Sequence, residues 1–353
     1  MAIQDDLSIA ILDILRSANL NCEIPSDLTL ERPKNRDHGD FATSIALALA
    51  KPSGKNPREI AELIKVKLEA RSDISSVEVA GPGFLNISLN SASQGDLISS
   101  ILSAGKKFGE SKTFPGTKIN LEFISANPTG PLHLGHTRWA AVGDALGRVL
   151  SAAGAEVTRE FYINDRGVQM DLFGASLQAA ALGNPRPEDG YAGDYINDLA
   201  QEIVSKYPDV LKQNGIEQQN AFRDYGYALQ LKEQQDVLVR FGTRFDVWFS
   251  EKSLYENNFF QHCQEVLKSK GHVFEQEGAI WLRTTDFGDD KDRVMLKSDG
   301  SMAYFASDSA YYISKRERGF EINIYMLGAD HHGYVGRLKA LAACNGDNPD
   351  YNV

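Results

Sequence analysis

The sequence has only three cysteines in 353 residues, and Cys22, Cys263 and Cys344 stand far apart. An odd, scattered set supports neither a disulfide framework nor a C-x-x-C metal pair, which leaves reduced, buried or idle thiols. Long apolar runs are also missing. SIALALA at 44–50 is among the longest and falls far short of the roughly 20 residues that a membrane span takes. The opening MAIQDDLSIA lacks the basic region and cleavage site of a secretory signal, so the expectation is a soluble, cytoplasmic protein with no membrane partner. Positive charge is in deficit, with 37 Lys and Arg against 48 Asp and Glu for a net −11. That argues against binding a polyanion over the whole surface but leaves local patches. KPSGK at 51–55, GKKFG at 105–109 and SKRERG at 314–319 either meet phosphates or are solvated faces. Neither G-x-G-x-x-G nor the P-loop pattern occurs, and there is no internal repeat or low-complexity tract.

What is present is ordinary globular composition, 42% hydrophobic and 24% charged, in a chain long enough for roughly two domains. LSIAILDILRSAN at 7–19 has apolar residues at helical spacing, LTLERP at 28–33 reads as a strand, and FATSIALALAK as a second helix. A third helix is expected in NPREIAELIKVKLEA, with Asn56 as N-cap, Pro57 at the first helical position and Glu59 closing a capping box. VEVAGPGFLNISLN at 77–90 alternates like two strands around a turn at Gly81-Pro82-Gly83. This mixture without strict alternation predicts a small α+β domain over 1–110, with Gly105 to Lys118 leading out of it. In the second domain, 111–353, KINLEFISAN at 118–127 is an apolar strand, HTRWAAVGDALGRVLSAAG an amphipathic helix ending at glycine, and EVTREFYIND a further strand. Strand, loop, helix, strand is the unit of an open α/β parallel sheet, which binds ligands at the carboxyl ends of its strands. A helical stretch from about Asp171 to Leu238 and a hairpin-rich region interrupt the sheet as an insertion. EINIYMLGADHHG returns to it.

The turn inside ISANPTGPLHLGHTRWAAVGDALGRVL, 124–150, places His133 and His136 three residues apart. Zinc-protease histidines lie four apart with an adjacent glutamate, so that reading fails on spacing. A bare H-x-G-H in a turn is most simply a helix cap. Its place between a parallel strand and a helix start favours phosphate instead, because free N–H groups and the macrodipole attract anions there. Gly135 would allow close approach of a base or ribose, and two imidazoles can donate to phosphate oxygens as charge builds.

HLGH at 133–136 resembles the "HIGH" signature of class I aminoacyl-tRNA synthetases, and the wider string S-A-N-P-T-G-P-L-H-L-G-H resembles the arginyl-tRNA synthetase version. FYINDRGVQM, GSMAYFASDSAYYISK and YMLGADHHGY extend the likeness along most of the chain. HGDFAT and GPGFLNI are similar to segments of the family's additional N-terminal domain. The resemblance implies a Rossmann-like catalytic domain with an insertion, preceded by the small α+β domain. The implied reaction activates L-arginine with ATP, magnesium accompanying the nucleotide, and transfers it to the 3′ end of tRNA(Arg); no structural metal is indicated.

By motif position the resemblance assigns His133 and His136 to the ATP phosphates and the transition state. Gly135, Gly328, Asp330 and His331 fall to ATP, with His331 and His332 as well explained by packing or capping. Glu122 and Asp308 are assigned to the arginine guanidinium, Tyr304 to a hydroxyl contact and packing, and Asn127 to the amino-acid backbone. Without the resemblance Tyr304 and Asp308 would read as a helix start, the aspartate as cap. Ser307 departs from the family pattern, which has arginine there. Phe84 and Asn86 are assigned to an unpaired tRNA D-loop base, by stacking and base-edge hydrogen bonds; core packing is the rival for Phe84. VMLKSDG at 294–300 superficially suggests the family's K-M-S-K loop, but Ser298-Asp299-Gly300 reads as a hairpin turn. The signature itself is expected beyond Val353, in a longer protein. Residues 1–353 are therefore expected to fold, yet to support no appreciable arginine-dependent pyrophosphate exchange.

Overall fold

The computed structural model describes residues 3–256, 258–328 and 332–353, which form two compact units, Met1–Ser111 and Lys112–Val353. In the first, α1 (Ile3–Ser17) buries Leu7, Ile11 and Leu15, one face at four-residue spacing. Then come β1 (Phe41–Thr43), α2 (Ile45–Ser53), α3 (Pro57–Leu68), β2 (Ile74–Ala80), β3 (Phe84–Leu89) and α4 (Ser91–Ala104). The strands make an antiparallel sheet of order β1-β3-β2. Helices α1, α2 and α3 share with it a core that includes Ile60, Ile64, Leu68, Leu85 and Ile87.

Asn56 caps α3 by accepting from the Arg58 N–H at 2.8 Å, with Pro57 at the first helical position. The reciprocal half of the expected capping box does not form, since exposed Glu59 sends no side-chain bond back. LTLERP shrinks from a strand to a single bridge, Glu31 to Ala42. Pro33 has no N–H to carry a ladder further. FAT, the head of the expected second helix, is β1 instead.

The second unit runs β4 (Lys118–Glu122), α5 (Leu134–Ala152), β5 (Glu156–Ile163), α6 (Val168–Leu182), α7 (Asp194–Lys206), α8 (Gly215–Phe241), β6 (Val247–Ser250) and α9 (Phe259–Ser269). It continues through β7 (Val273–Gln276), β8 (Ala279–Leu282), β9 (Arg293–Leu296), α10 (Tyr304–Glu317), β10 (Ile322–Tyr325), α11 (His332–Cys344) and α12 (Pro349–Asn352). The sheet order is β10-β4-β5-β6, every pair parallel. Helix α5 lies against it because Gly143 has no side chain, a Cβ there meeting the Phe123 ring at 2.2 Å. The insertion α6–α8 has its own core around Phe173, Leu177, Ile203 and Phe222. Strands β7, β8 and β9 form a separate antiparallel sheet.

Strand β4 stops five residues short of the expected end. Ile124 and Ser125 turn left-handed, with φ of 68° and 47°, which breaks the extended run. Left-handed backbone is rare for a β-branched residue and is often found at functional sites. VMLKSDG is a turn as expected: Gly300 N–H bonds the Lys297 carbonyl at 2.9 Å and Lys297 N–H the Ser301 carbonyl at 2.8 Å. Cys263 and Cys344 are buried free thiols and Cys22 is a half-buried one; burial pushes the first two up to about 12.

Candidate functional site

Two of the expected residues, Glu122 and His133, lie with one unforeseen carboxylate, Glu251, at the carboxyl ends of the parallel strands, where an open α/β sheet presents its ligand crevice. Glu122 ends β4, Glu251 follows β6, and His133 caps α5. The loop from β4 to α5 is pinned from the insertion. Buried Gln234 of α8 donates to the carbonyls of Asn127 at 3.0 Å and Gly130 at 2.8 Å. The Tyr195 hydroxyl donates to the Thr129 carbonyl at 3.1 Å.

The two histidines both cap the helix and face outward. His133 Nδ1 accepts from the Gly135 N–H at 3.1 Å, and His136 Nδ1 from the His133 N–H at 3.1 Å. The rings stack with centroids 3.8 Å apart. A backbone N–H can only donate, so each Nδ1 is a lone pair and each neutral ring carries its proton on Nε2. Two Nε2–H donors are thus set side by side at a helix N-terminus. Burial, and secondarily the neighbouring His133, hold His136 below its ordinary value, which favours the neutral ring. Gly135 has a reason unforeseen in the sequence: a Cβ there would lie 3.0 Å from His133 Cε1. The glycine makes room for the capping ring itself.

Asp308 lies in the second turn of α10. Burial pushes its carboxyl up to about 6, against the pull of the Tyr334 hydroxyl and Arg337, with Glu251 and Glu122 raising it further. Glu251 is raised by burial, against the neighbouring Tyr162 hydroxyl and Arg166. Among the described residues neither carboxylate is in an ion pair. Burial pushes the Tyr162 hydroxyl well up, and the neighbouring Glu251, Asp308 and Glu122 add to it. The Tyr325 hydroxyl is buried with no partner among the described residues. Acceptors crowded together, near Arg337 and Arg166 but ion-paired with neither among the described residues, and beside an unused hydroxyl, suit a cationic, hydrogen-bonding ligand.

Glu122 differs from these two. Its Oε2 accepts from Lys315 Nζ at 2.7 Å and its Oε1 from the Ser125 hydroxyl at 3.2 Å. SKRERG is therefore no phosphate patch. Lys315 is fully buried on Glu122, Arg316 pairs with Asp347 at 2.8 Å, and Arg318 holds buried Glu160 at 2.5 Å. Ser307 meets the Tyr255 hydroxyl at 2.6 Å.

Of the remaining expected residues, Asn127 is exposed on the pinned loop. Tyr304 opens α10 and is 97% exposed, with no packing partner among the described residues. Gly328 lies half-buried three residues past β10. Asp330 and His331 lie outside the described residues, and of His332 only its place at the head of α11 is described. In the first unit, Phe84 opens β3 and is 44% exposed, which disfavours the core reading. Asn86, two residues on along the same face, is buried with Nδ2 3.4 Å from the exposed His38 ring. Glu251, Lys315 and Glu160 were missed from the sequence. A signal existed for Glu251 alone, which directly follows an apolar run, VWFS, that forms a parallel strand.

Residues 97–350 match the catalytic domain of class I tRNA synthetases (R), the class that a parallel sheet with two histidines at the head of its first helix defines. Residues 2–89 match the arginyl-tRNA synthetase N-terminal domain. The chain belongs to the arginyl-tRNA synthetase family. It is 52% identical over 356 residues to the arginine–tRNA ligase of Renibacterium salmoninarum, covering 99% of this chain and 65% of that one. It is 51% identical to that of Kineococcus radiotolerans, covering 99% and 64%. The chain thus spans just under two thirds of these relatives. In fold it is similar to the arginyl-tRNA synthetases of Thermus thermophilus, with 22% identity, TM-score 0.65 and coverage of 98% and 63%, and of Plasmodium falciparum, with 16%, 0.72, and 99% and 64%. Among the described residues no helix is long and apolar enough to cross a membrane.

Proposed function

We propose that this chain carries the arginine-activating site of an arginine–tRNA ligase. The protein joins L-arginine to ATP as arginyl-adenylate with release of pyrophosphate, then passes the arginyl group to the 3′ end of tRNA(Arg) with release of AMP. Asp308 and Glu251 take the guanidinium, whose planar fork suits paired carboxylates. Asn127 meets the amino-acid backbone, and Tyr304 moves onto the ligand from its exposed position. The Nε2–H groups of His133 and His136 hold ATP phosphate oxygens and gain strength as charge builds on the α-phosphate. Gly135, Gly328, Asp330 and His331 make up the nucleotide side. Magnesium would enter with ATP, bound chiefly by phosphate oxygens; among the described residues no group of three or more His, Cys, Asp or Glu is arranged to hold a metal. Phe84 and Asn86 meet a tRNA base in the first unit, and the setting is the cytoplasm.

What supports this reading most is the pair of half-buried carboxylates, Asp308 and Glu251, both raised by desolvation and neither in an ion pair among the described residues. Calorimetric titration of the chain with L-arginine, L-lysine and L-citrulline tests it. Citrulline keeps the shape and loses the charge, so it should bind at least about 100-fold more weakly than arginine, the scale of a buried charged contact. Lysine should fall between them. Equal binding of citrulline and arginine would remove the carboxylate pair from the site.

A further inference from the structure

Lys315 lies on α10 seven residues, two helical turns, after Asp308 and so on the same face. Its side chain is fully buried, a costly place for an ammonium unless it is paired. The nitrogen sits 4.2 Å from the Tyr311 ring centre and 3.7 Å from that of Tyr325, with Glu122 Oε2 at 2.7 Å. Tyr311 is fixed in turn by its hydroxyl on Glu160 at 2.6 Å, and Glu160 by Arg318. The other oxygen of Glu122 takes the Ser125 hydroxyl at 3.2 Å, and that hydroxyl accepts from the Tyr162 N–H at 3.1 Å. Ser125 is the second of the two left-handed residues that end β4 and begin the loop carrying Asn127. A continuous chain of bonds therefore runs from the buried ammonium to the strained kink.

We propose that Lys315 is a positioning residue for the arginine site: it neutralises Glu122, locks the Ile124–Ser125 kink through it, and so leaves the substrate guanidinium to Asp308 and Glu251. This rests on the arginine-binding reading above. Glu122, in this arrangement, is needed as a hydrogen-bond acceptor for Ser125 and not as a charge for the substrate. A glutamine could supply that acceptor, provided the lysine charge is removed at the same time.

The test compares Lys315→Met, Glu122→Gln and the double variant, each titrated calorimetrically with L-arginine and with ATP beside the unaltered chain. Each single variant strands one buried charge, so arginine should bind at least about tenfold more weakly while ATP stays within about twofold. The double variant strands none, and arginine affinity should return to within about threefold of the unaltered chain, a coupling that two independent losses would not show. If a single variant fails to fold, the double variant still decides the matter. Weak arginine binding by a folded double variant would show that Glu122 touches the substrate and would overturn the proposal. So would arginine and ATP weakening together, or Lys315→Met binding arginine normally. Failure of the unaltered chain to bind arginine would instead bring down the reading of the site, and this inference with it.

Discussion

Asp308 is a carboxylate that the resting chain holds at a disadvantage. Its folded value of about 6 lies above the ordinary 3.8. Between those values the folded chain binds a proton that the unfolded chain has released, so stability falls as pH rises through that window and stays reduced above it. Asp308→Asn should therefore raise the melting temperature at pH 7.5, by the equivalent of about 1–3 kcal/mol, and lose that advantage well below the ordinary 3.8, where both states carry the proton. The same change should weaken arginine binding by about 100-fold. Stability gained and ligand lost in one variant marks a residue kept for function. For the unaltered chain, arginine affinity should decline as pH falls below about 6, because the neutral carboxyl no longer attracts the guanidinium. A lower melting temperature for Asp308→Asn at pH 7.5 would mean that the Tyr334 hydroxyl and Arg337 outweigh the cost of burying the charge.

At the level of elements, the head of α5 shows the capping role and leaves free the atoms that the proposed phosphate role would use, so two readings that the sequence left as rivals are compatible. The caps use Nδ1 of each histidine and the phosphate reading uses Nε2–H, so substitution can part them. Asparagine places an acceptor near the Nδ1 position and nothing near Nε2. His136→Ala should cost about 1 kcal/mol of stability with weaker ATP binding, whereas His136→Asn should recover the stability and not the ATP affinity, by melting and titration. Recovery of both would leave His136 a cap alone. Much of this region was legible beforehand, because helical periodicity, the glycine after α5 and the strand-loop-helix-strand order are local signals. The length of β4 was not: nothing in ISAN encodes two left-handed residues, and the second of them, Ser125, is held by Glu122 at the strand's end and by the Tyr162 N–H of the neighbouring strand, while Gln234 of α8 pins Asn127 just beyond. SKRERG misled for the same reason. A run of cations looks solvated until the fold brings Glu122, Asp347 and Glu160 to meet it.

Among the described residues there are separate cores, one wholly within Met1–Ser111 and three within Lys112–Val353. Scanning calorimetry should resolve two transitions, and L-arginine should raise only that of the larger unit by mass action. Phe84→Ala should move neither while weakening tRNA binding by about 1–3 kcal/mol, the worth of one stacked base; loss of the smaller unit's transition would return Phe84 to the core. The parallel sheet has a further consequence, in time. Strand β4 is pinned on one side by β10, Ile119 against Ile322, and Glu122 finds Lys315 only across 193 positions of chain. On a ribosome the first unit and the helical insertion can fold as they emerge, but β4 must wait, with its edge open, until some 200 further residues have been made. Loop closure of that span is slow and exposes an apolar strand meanwhile. The proposed arginine pocket is thus among the last parts of the chain to come into being, and conditions that hurry synthesis past folding should deplete it first.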